Sequence, residues 1–299
     1  MTTTRLTLLS SFCAVVTLVA ASQATASTGP LRVRALGPGG DEFHSSYSHI
    51  LVRERNAKRS LLFVRDNGEV VLESEVDMRR PWRLVVPYTR TMFASYLFKP
   101  KHNKVLIIGL GGGSMVHFLK RYAPDLRVHA VEIDPMIVQV AQQYFGVASA
   151  GNVRIHTADG FAYLKETQER YDVIYMDAFL KPSADTDSTG VPLRLKTIAF
   201  FRSLRGKLTT GGMVVFNINS HASMGQDISA IREAFPSVYV FKARGSGNTI
   251  VVGSTSETLH SATQLRELAR KLDDERPASL SFTSIAGEIN ERLTYLDSR

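Results

Sequence analysis

The spacing of apolar positions along the chain changes near residue 104. Before it, three short runs (48–53, 60–65 and 69–73) have the length and make-up of strands. The last two are separated by Asp66-Asn67-Gly68, a hairpin signal because Asn and Gly tolerate positive φ. These runs predict a small antiparallel β unit over 43–80. Pro87 opens a helical stretch over 88–98, with Met92, Phe93, Tyr96 and Leu97 at its apolar positions. Beyond residue 104, strand-like runs at 105–108, 128–133, 153–157, 173–176 and 213–217 alternate with helical segments at 115–122, 135–144, 197–208 and 227–235. Runs at 238–241 and 249–252 add a closing pair around the turn-rich 244–248, and 265–272 predicts a helix. Alternation of this kind predicts a largely parallel sheet covered on both faces, whose strands are apolar throughout. The expected fold is α/β, a Rossmann-like doubly wound sheet over 81–275 preceded by the small β unit. The tail, 276–299, carries no readable pattern.

The first 26 residues differ from the rest. Arg5 is their only charge, 6–21 is apolar apart from Ser, Thr and Cys13, and Ala24-Thr25-Ala26 is a small-x-small cleavage site. This is the anatomy of a secretory signal peptide over 1–26, followed by a Pro- and Gly-containing linker over 27–42. A periplasmic or secreted protein is expected, or a cytoplasmic one if translation starts downstream. Cys13 is the single cysteine, so a mature chain from Ser27 has no thiol for a disulfide, a nucleophile or a zinc–thiolate site. No apolar run long enough to span a membrane occurs after the N-terminus. The net charge of +8 is spread over single or paired Lys and Arg. There is no arginine-rich run interleaved with aromatics, so a nucleic-acid partner is not expected. The eight histidines show no ligand spacing and are expected to be structural or superficial, with no metal.

The chemistry concentrates at strand ends. The run 105–108 leads into Gly109-Leu110-Gly111-Gly112-Gly113-Ser114 and then a helix, an arrangement that brings backbone N–H groups and a helix N-terminus close to a ligand. Glu132 ends the next strand 23 positions after Gly109, near the separation of about 20 at which an acid reaches a ribose hydroxyl. Ser114 stands where a dinucleotide fingerprint requires its third glycine. Asp159-Gly160 follows the third strand, placed to meet an adenine amino group, and Asp177 ends the fourth. Three acids at three successive strand ends define one nucleoside crevice.

Residues 105–109 with Gly111, Gly112 and Gly113, the segments Val131-Glu132-Ile133-Asp134-Pro135, Ala158-Asp159-Gly160 and Tyr171-Asp172-Val173-Ile174, and the Ser45-Ser46-Tyr47-Ser48-His49-Ile50 of the leading β unit resemble spermidine synthases and related polyamine aminopropyltransferases. The resemblance covers about 45–254 and implies the seven-stranded methyltransferase type of sheet. It implies decarboxylated S-adenosylmethionine, or S-adenosylmethionine, as co-substrate and a small amine as acceptor. Gly109, Gly111, Gly112, Gly113 and Glu132 would hold the nucleoside, Asp159 and Gly160 the adenine, and Asp177 would orient or deprotonate the amine. A homodimer is compatible with it.

The chain also departs from that family. The family's Asp inside the glycine loop is Gly112 or Gly113 here, and its second acid after the catalytic one is Leu180. Its Tyr-Gln pair reads Tyr47-Ser48, and its Tyr-His-Glu has no counterpart near Pro81-Trp82-Arg83. A buried polyamine requires carboxylates to offset its charges. Asp185 and Asp187 would substitute only if the loop 181–190 folds over the site. Three readings follow: an aminopropyltransferase-like enzyme with an eroded polyamine site, a methyltransferase on the same scaffold, and an exported nucleoside-binding protein without turnover.

Overall fold

A computed structural model describes residues 33–180, 182–276 and 280–295. The expected signal peptide, 1–26, lies outside the described residues. The leading unit is a four-stranded antiparallel sheet, β1 (Asp41–His44), β2 (His49–Arg55), β3 (Lys58–Val64) and β4 (Val70–Asp77), in that order. Its tightest hairpin is one the sequence does not advertise. Asn56 and Ala57 join β2 to β3 with φ of 54° and 61°, a two-residue turn of the mirror-image kind, built without glycine. At the predicted hairpin only Gly68 takes positive φ, and the Asn67 side chain instead accepts a bond from the Glu69 N–H at 3.0 Å.

The helical stretch expected over 88–98 is two helices, α1 (Pro87–Met92) and α2 (Ser95–Phe98). Between them Phe93 and Ala94 make i→i+3 bonds, and the Phe93 ring is buried 4.5 Å from that of Phe118. The larger domain continues with β5 (Lys104–Ile108), α3 (Ser114–Tyr122), β6 (Arg127–Glu132), α4 (Pro135–Phe145), β7 (Val153–Thr157), α5 (Gly160–Glu166) and β8 (Tyr171–Met176). After a 3-10 turn (Leu193–Lys196) come α6 (Ile198–Arg205), β9 (Leu208–Asn219), α7 (Met224–Ala234), β10 (Ser237–Lys242), β11 (Asn248–Ser254), α8 (Ala262–Glu275), α9 (Phe282–Ala286) and α10 (Glu291–Thr294). The helix expected over 197–208 ends at Arg205 because Leu208 already pairs with Tyr171 at the start of a long β9.

The seven strands lie in the order β10-β11-β9-β8-β5-β6-β7, with only β11 reversed. The chain leaves β5 in one direction for β6 and returns on its other side as β8. This is the switch point outside whose carboxyl ends open α/β sheets hold ligands. The small sheet is anchored beside that edge: Ile50, Val52, Leu61 and Val76 form one core with Ile137, Val140, Tyr144 and Phe145 of α4. Buried Arg59 ties the two units, donating to the Tyr144 carbonyl and to Glu54 at 2.5 Å each. Among the described residues no helix is long and apolar enough to cross a membrane.

Candidate active site

The cleft between the small sheet and the carboxyl edge of β5, β6 and β8 collects almost every strand-end residue singled out above: Gly109, Gly111, Gly113, Glu132, Asp159, Gly160 and Asp177. Gly112 is the exception. It turns off the cleft wall, where a Cβ would stand 2.9 Å from Ser74 Oγ and 3.1 Å from the Phe145 ring. Gly109 is obligatory for a different reason: at φ +96°, a Cβ there would fall 2.1 Å from the Asp177 carbonyl.

Glu132 is 9% exposed and accepts bonds from the N–H groups of Leu110 (2.9 Å) and Asp134 (3.0 Å). Burial raises its pKa, and these bonds oppose the rise. It therefore clamps the glycine loop to the end of β6, and its remaining lone pairs face the cleft. Asp134 caps α4 through Met136 N (2.8 Å) and accepts the hydroxyls of Ser45 and Ser48 at 2.6 Å each, fixing the small sheet against the site. Asp159 caps α5 through Phe161 N (3.2 Å) and is met by Arg194 at 3.0 Å. No motif pointed to Arg194. It comes from the 3-10 turn, lies over the Phe161 ring, and is the only Lys or Arg lining the cleft among the described residues.

Asp177 accepts Asn217 Nδ2 at 2.8 Å and the Tyr88 hydroxyl at 3.1 Å. Asn217 is itself held by Asn248 (2.8 Å), which also reaches Asn219 (2.6 Å). Burial pushes the Asp177 carboxyl up against these two bonds. Across from it stands Glu73 of β4, pushed up to about 7 by burial and by the Asp177 charge, with Arg65 opposing. Neither Tyr88 nor Glu73 was singled out from sequence. Tyr88 was legible only as the residue after a helix-opening proline, and Glu73 as one residue of a strand. With Glu132, Asp134, Asp159 and Asp177, Glu73 brings the carboxylates on the cleft wall to five, against one guanidinium, among the described residues.

Leu180, Tyr47 and Arg194 also line an outer mouth, together with Asp66 and the exposed Asp185. Asp187 does not reach the cleft. Lys196 Nζ lies 2.5 Å from it and 2.7 Å from Asp227, whose carboxylate is 3.0 Å from His221 Nε2. Sequence spacing gave no hint of this cluster. The cation at its centre is the lysine, which with Thr189 and backbone bonds holds Asp187 down to about 2 against its burial. His44 and His49 stack beside Glu42 on the exposed side of the small sheet, also without a spacing signal.

With this geometry the comparison with known proteins is direct. Residues 87–244 match the spermine/spermidine synthase domain. The polyamine aminopropyltransferase of Vibrio vulnificus is 34% identical over 216 residues, 71% of this chain and 70% of that protein. The chain belongs to the spermine/spermidine synthase family. Members of this family use decarboxylated S-adenosylmethionine as co-substrate and an amine as acceptor. A probable spermidine synthase from Corynebacterium glutamicum shares the fold, a seven-stranded mixed sheet behind a four-stranded antiparallel one, with a TM-score of 0.63 at 21% identity over 82% of this chain and 96% of that one. Human methyltransferase-like protein 13, solved in complex with SAH, superposes with a TM-score of 0.58 at 26% identity, covering 64% of this chain and 94% of that one.

Proposed function

We propose that this protein transfers an aminopropyl group from decarboxylated S-adenosylmethionine to an amine acceptor. The observation that carries the reading is the sign of charge beside the reacting position. Glu73 and Asp177 face each other there, and among the described residues Arg194 is the only Lys or Arg on the cleft wall, its guanidinium engaged with Asp159 at the adenine end. An ammonium is stabilised between two carboxylates, whereas the α-carboxylate of the intact donor would be repelled by both. In the transfer, the acceptor nitrogen forms a bond to the propyl carbon next to sulfur. The carbon–sulfur bond breaks, its electron pair leaves with the thioether, and the amine proton passes to Asp177.

The acceptor end favours an amine unlike the family's usual one. Leu180 is apolar, the Ser48 hydroxyl is committed to Asp134, and Asp187 is neutralised by Lys196. An ammonium without a partner in a closed site costs several kcal/mol. Putrescine is therefore expected to bind only in about the millimolar range. Titrating it into protein saturated with methylthioadenosine checks this, and micromolar binding would mean that another acid has taken the missing role.

A methyltransferase is the second reading, favoured by the likeness to human methyltransferase-like protein 13. Calorimetric competition between decarboxylated and intact donor separates the two. Preference for the intact donor removes the aminopropyl reading, and thioether binding with no turnover on either donor leaves a binding protein. Export is proposed on the leader alone, and the first residue of the native protein, near Ser27 if the leader is cleaved, decides it.

A further inference from the structure

The ladder between β3 and β4 contains an irregularity at the cleft. Leu61 pairs with Ser74 and Leu62 with Leu72, so Glu73 is an extra residue, a bulge opposite no partner. In a regular strand Glu73 and Ser74 would point to opposite faces, but here both line the cleft. Ser74 packs on the glycine loop, its Cβ 3.4 Å from where a Cβ of Gly111 would lie, and its hydroxyl occupies the space a side chain at Gly112 would need. The bulge thus does two things together: it closes the loop position to an acid and carries an acid in from β4. That acid accepts no hydrogen bond and has no ion pair among the described residues, and Asp177 and the Tyr88 hydroxyl face it from the larger domain. Arg65 lines a neighbouring cavity with Glu73 and partly offsets its charge, but is itself paired with Glu69 at 2.9 Å.

We propose that Glu73 receives the terminal ammonium of the donor's aminopropyl arm and so makes the site select a decarboxylated donor. The proposal rests on the aminopropyl-transfer reading. The glycine loop fixes where the thioether chain leaves the ribose, and Ser74 places the neighbouring Glu73 beside that point. A carboxylate kept partly protonated by Asp177 and burial is one that a bound ammonium would ionise, so ligand and acid each stabilise the other's charge.

The test uses three nucleoside thioethers on the whole protein, by calorimetry. Decarboxylated S-adenosylhomocysteine carries the ammonium alone, S-adenosylhomocysteine carries ammonium and carboxylate, and methylthioadenosine carries neither. Wild type should bind the first at least about tenfold tighter than the second. Glu73→Gln should weaken the first by about tenfold or more, as expected for loss of a charge-assisted contact, and leave methylthioadenosine within about twofold. If wild type prefers S-adenosylhomocysteine, the functional reading fails and this inference with it. If wild type prefers the decarboxylated thioether and Glu73→Gln retains that preference, the inference alone fails. In that case, a substitution that weakens only an added amine would move Glu73 to the acceptor. A check without any variant is the pH dependence of wild type. Its advantage for the decarboxylated thioether over methylthioadenosine should shrink as pH falls from about 8 to about 6 and Glu73 takes up a proton, and an advantage constant over that range would also overturn the assignment.

Discussion

At the scale of the residue, the decisive feature of the site is that its two central acids are held differently. Asp177 has two donors and a fixed orientation, whereas Glu73 has no donor among the described residues. Asp177→Asn keeps the shape but cannot accept a proton near neutral pH, so transfer should be lost while methylthioadenosine affinity stays within a few-fold. Tyr88→Phe is the more diagnostic change. The Tyr88 hydroxyl bond favours the charged carboxylate, so removing it should raise the Asp177 pKa further and shift the acid limb of the pH–rate profile upward. A limb that stays in place would show that Asp177 does not govern the rate. Glu132 accepts two backbone N–H groups and so holds the glycine loop, and in the proposed function it takes the ribose hydroxyls as well. Glu132→Gln should weaken methylthioadenosine binding about ten- to a hundredfold by calorimetry, with a lower melting temperature as the loop loses its clamp.

At the scale of the element, the segment after β8 is shaped by a buried ionic knot. Lys196, Asp187 and Asp227 have side-chain exposures of 15%, 10% and 13%. The knot pins the segment before α6 to the start of α7, and Leu180 is pinned in turn by the Gly190 carbonyl at 2.8 Å. Lys196→Met leaves two buried carboxylates unneutralised, and breaking such pairs typically costs about 3–5 kcal/mol. Denaturant melts should show it. The pH dependence has a definite sign: Asp187 ionises more easily folded than unfolded, so its contribution is present above about pH 4 and is lost as pH falls through about 2. A wild-type stability curve that is flat over that window would remove the knot from the list of folding determinants.

At the scale of the whole molecule, the C-terminal segment closes the fold. Leu280, Phe282, Ile285 and Ala286 are buried in the same core as α2 and α8, and the ring of Phe282 meets that of Tyr96 at 6.0 Å. Asn290 N donates to the Val240 carbonyl at 2.7 Å, so the segment also covers β10. A chain ending at Glu275 would expose those side chains, each worth about 1.5–3 kcal/mol when large and apolar, and should melt well below the full chain by calorimetric scanning. An unchanged melting temperature would show that the segment merely rests on the surface.

Residues 276–299 illustrate what a sequence hides. Their apolar positions follow no helical or strand period, because short helices of five and four residues bury single side chains rather than a stripe. The strand-end half of the site is legible because its geometry is local. A strand, a glycine turn and a helix follow one another in the chain, and an acid at each successive strand end must arrive at one sheet edge once the strands pair in parallel. Parallel pairing alone therefore brings Glu132, Asp159 and Asp177 together. It does not distinguish Gly112, whose side-chain space is taken by Ser74 and Phe145, from its neighbours. Tyr88, Glu73 and Arg194 belong to separate elements: Tyr88 arrives on α1 packed against β9 and β11, Glu73 with the small sheet seated on α4, and Arg194 on the segment held by the ionic knot. No spacing rule links them to the strand ends. A bulge in particular inverts the two-residue period from which strand faces are read, so Glu73 could be recognised only after the ladder had formed. The sequence by itself determined the sheet and the gathering of Glu132, Asp159 and Asp177 at its carboxyl edge, because these follow from local backbone preferences and parallel pairing. Tertiary structure alone decided the charge around the reacting group, because contacts between distant segments depend on packing that no local pattern encodes.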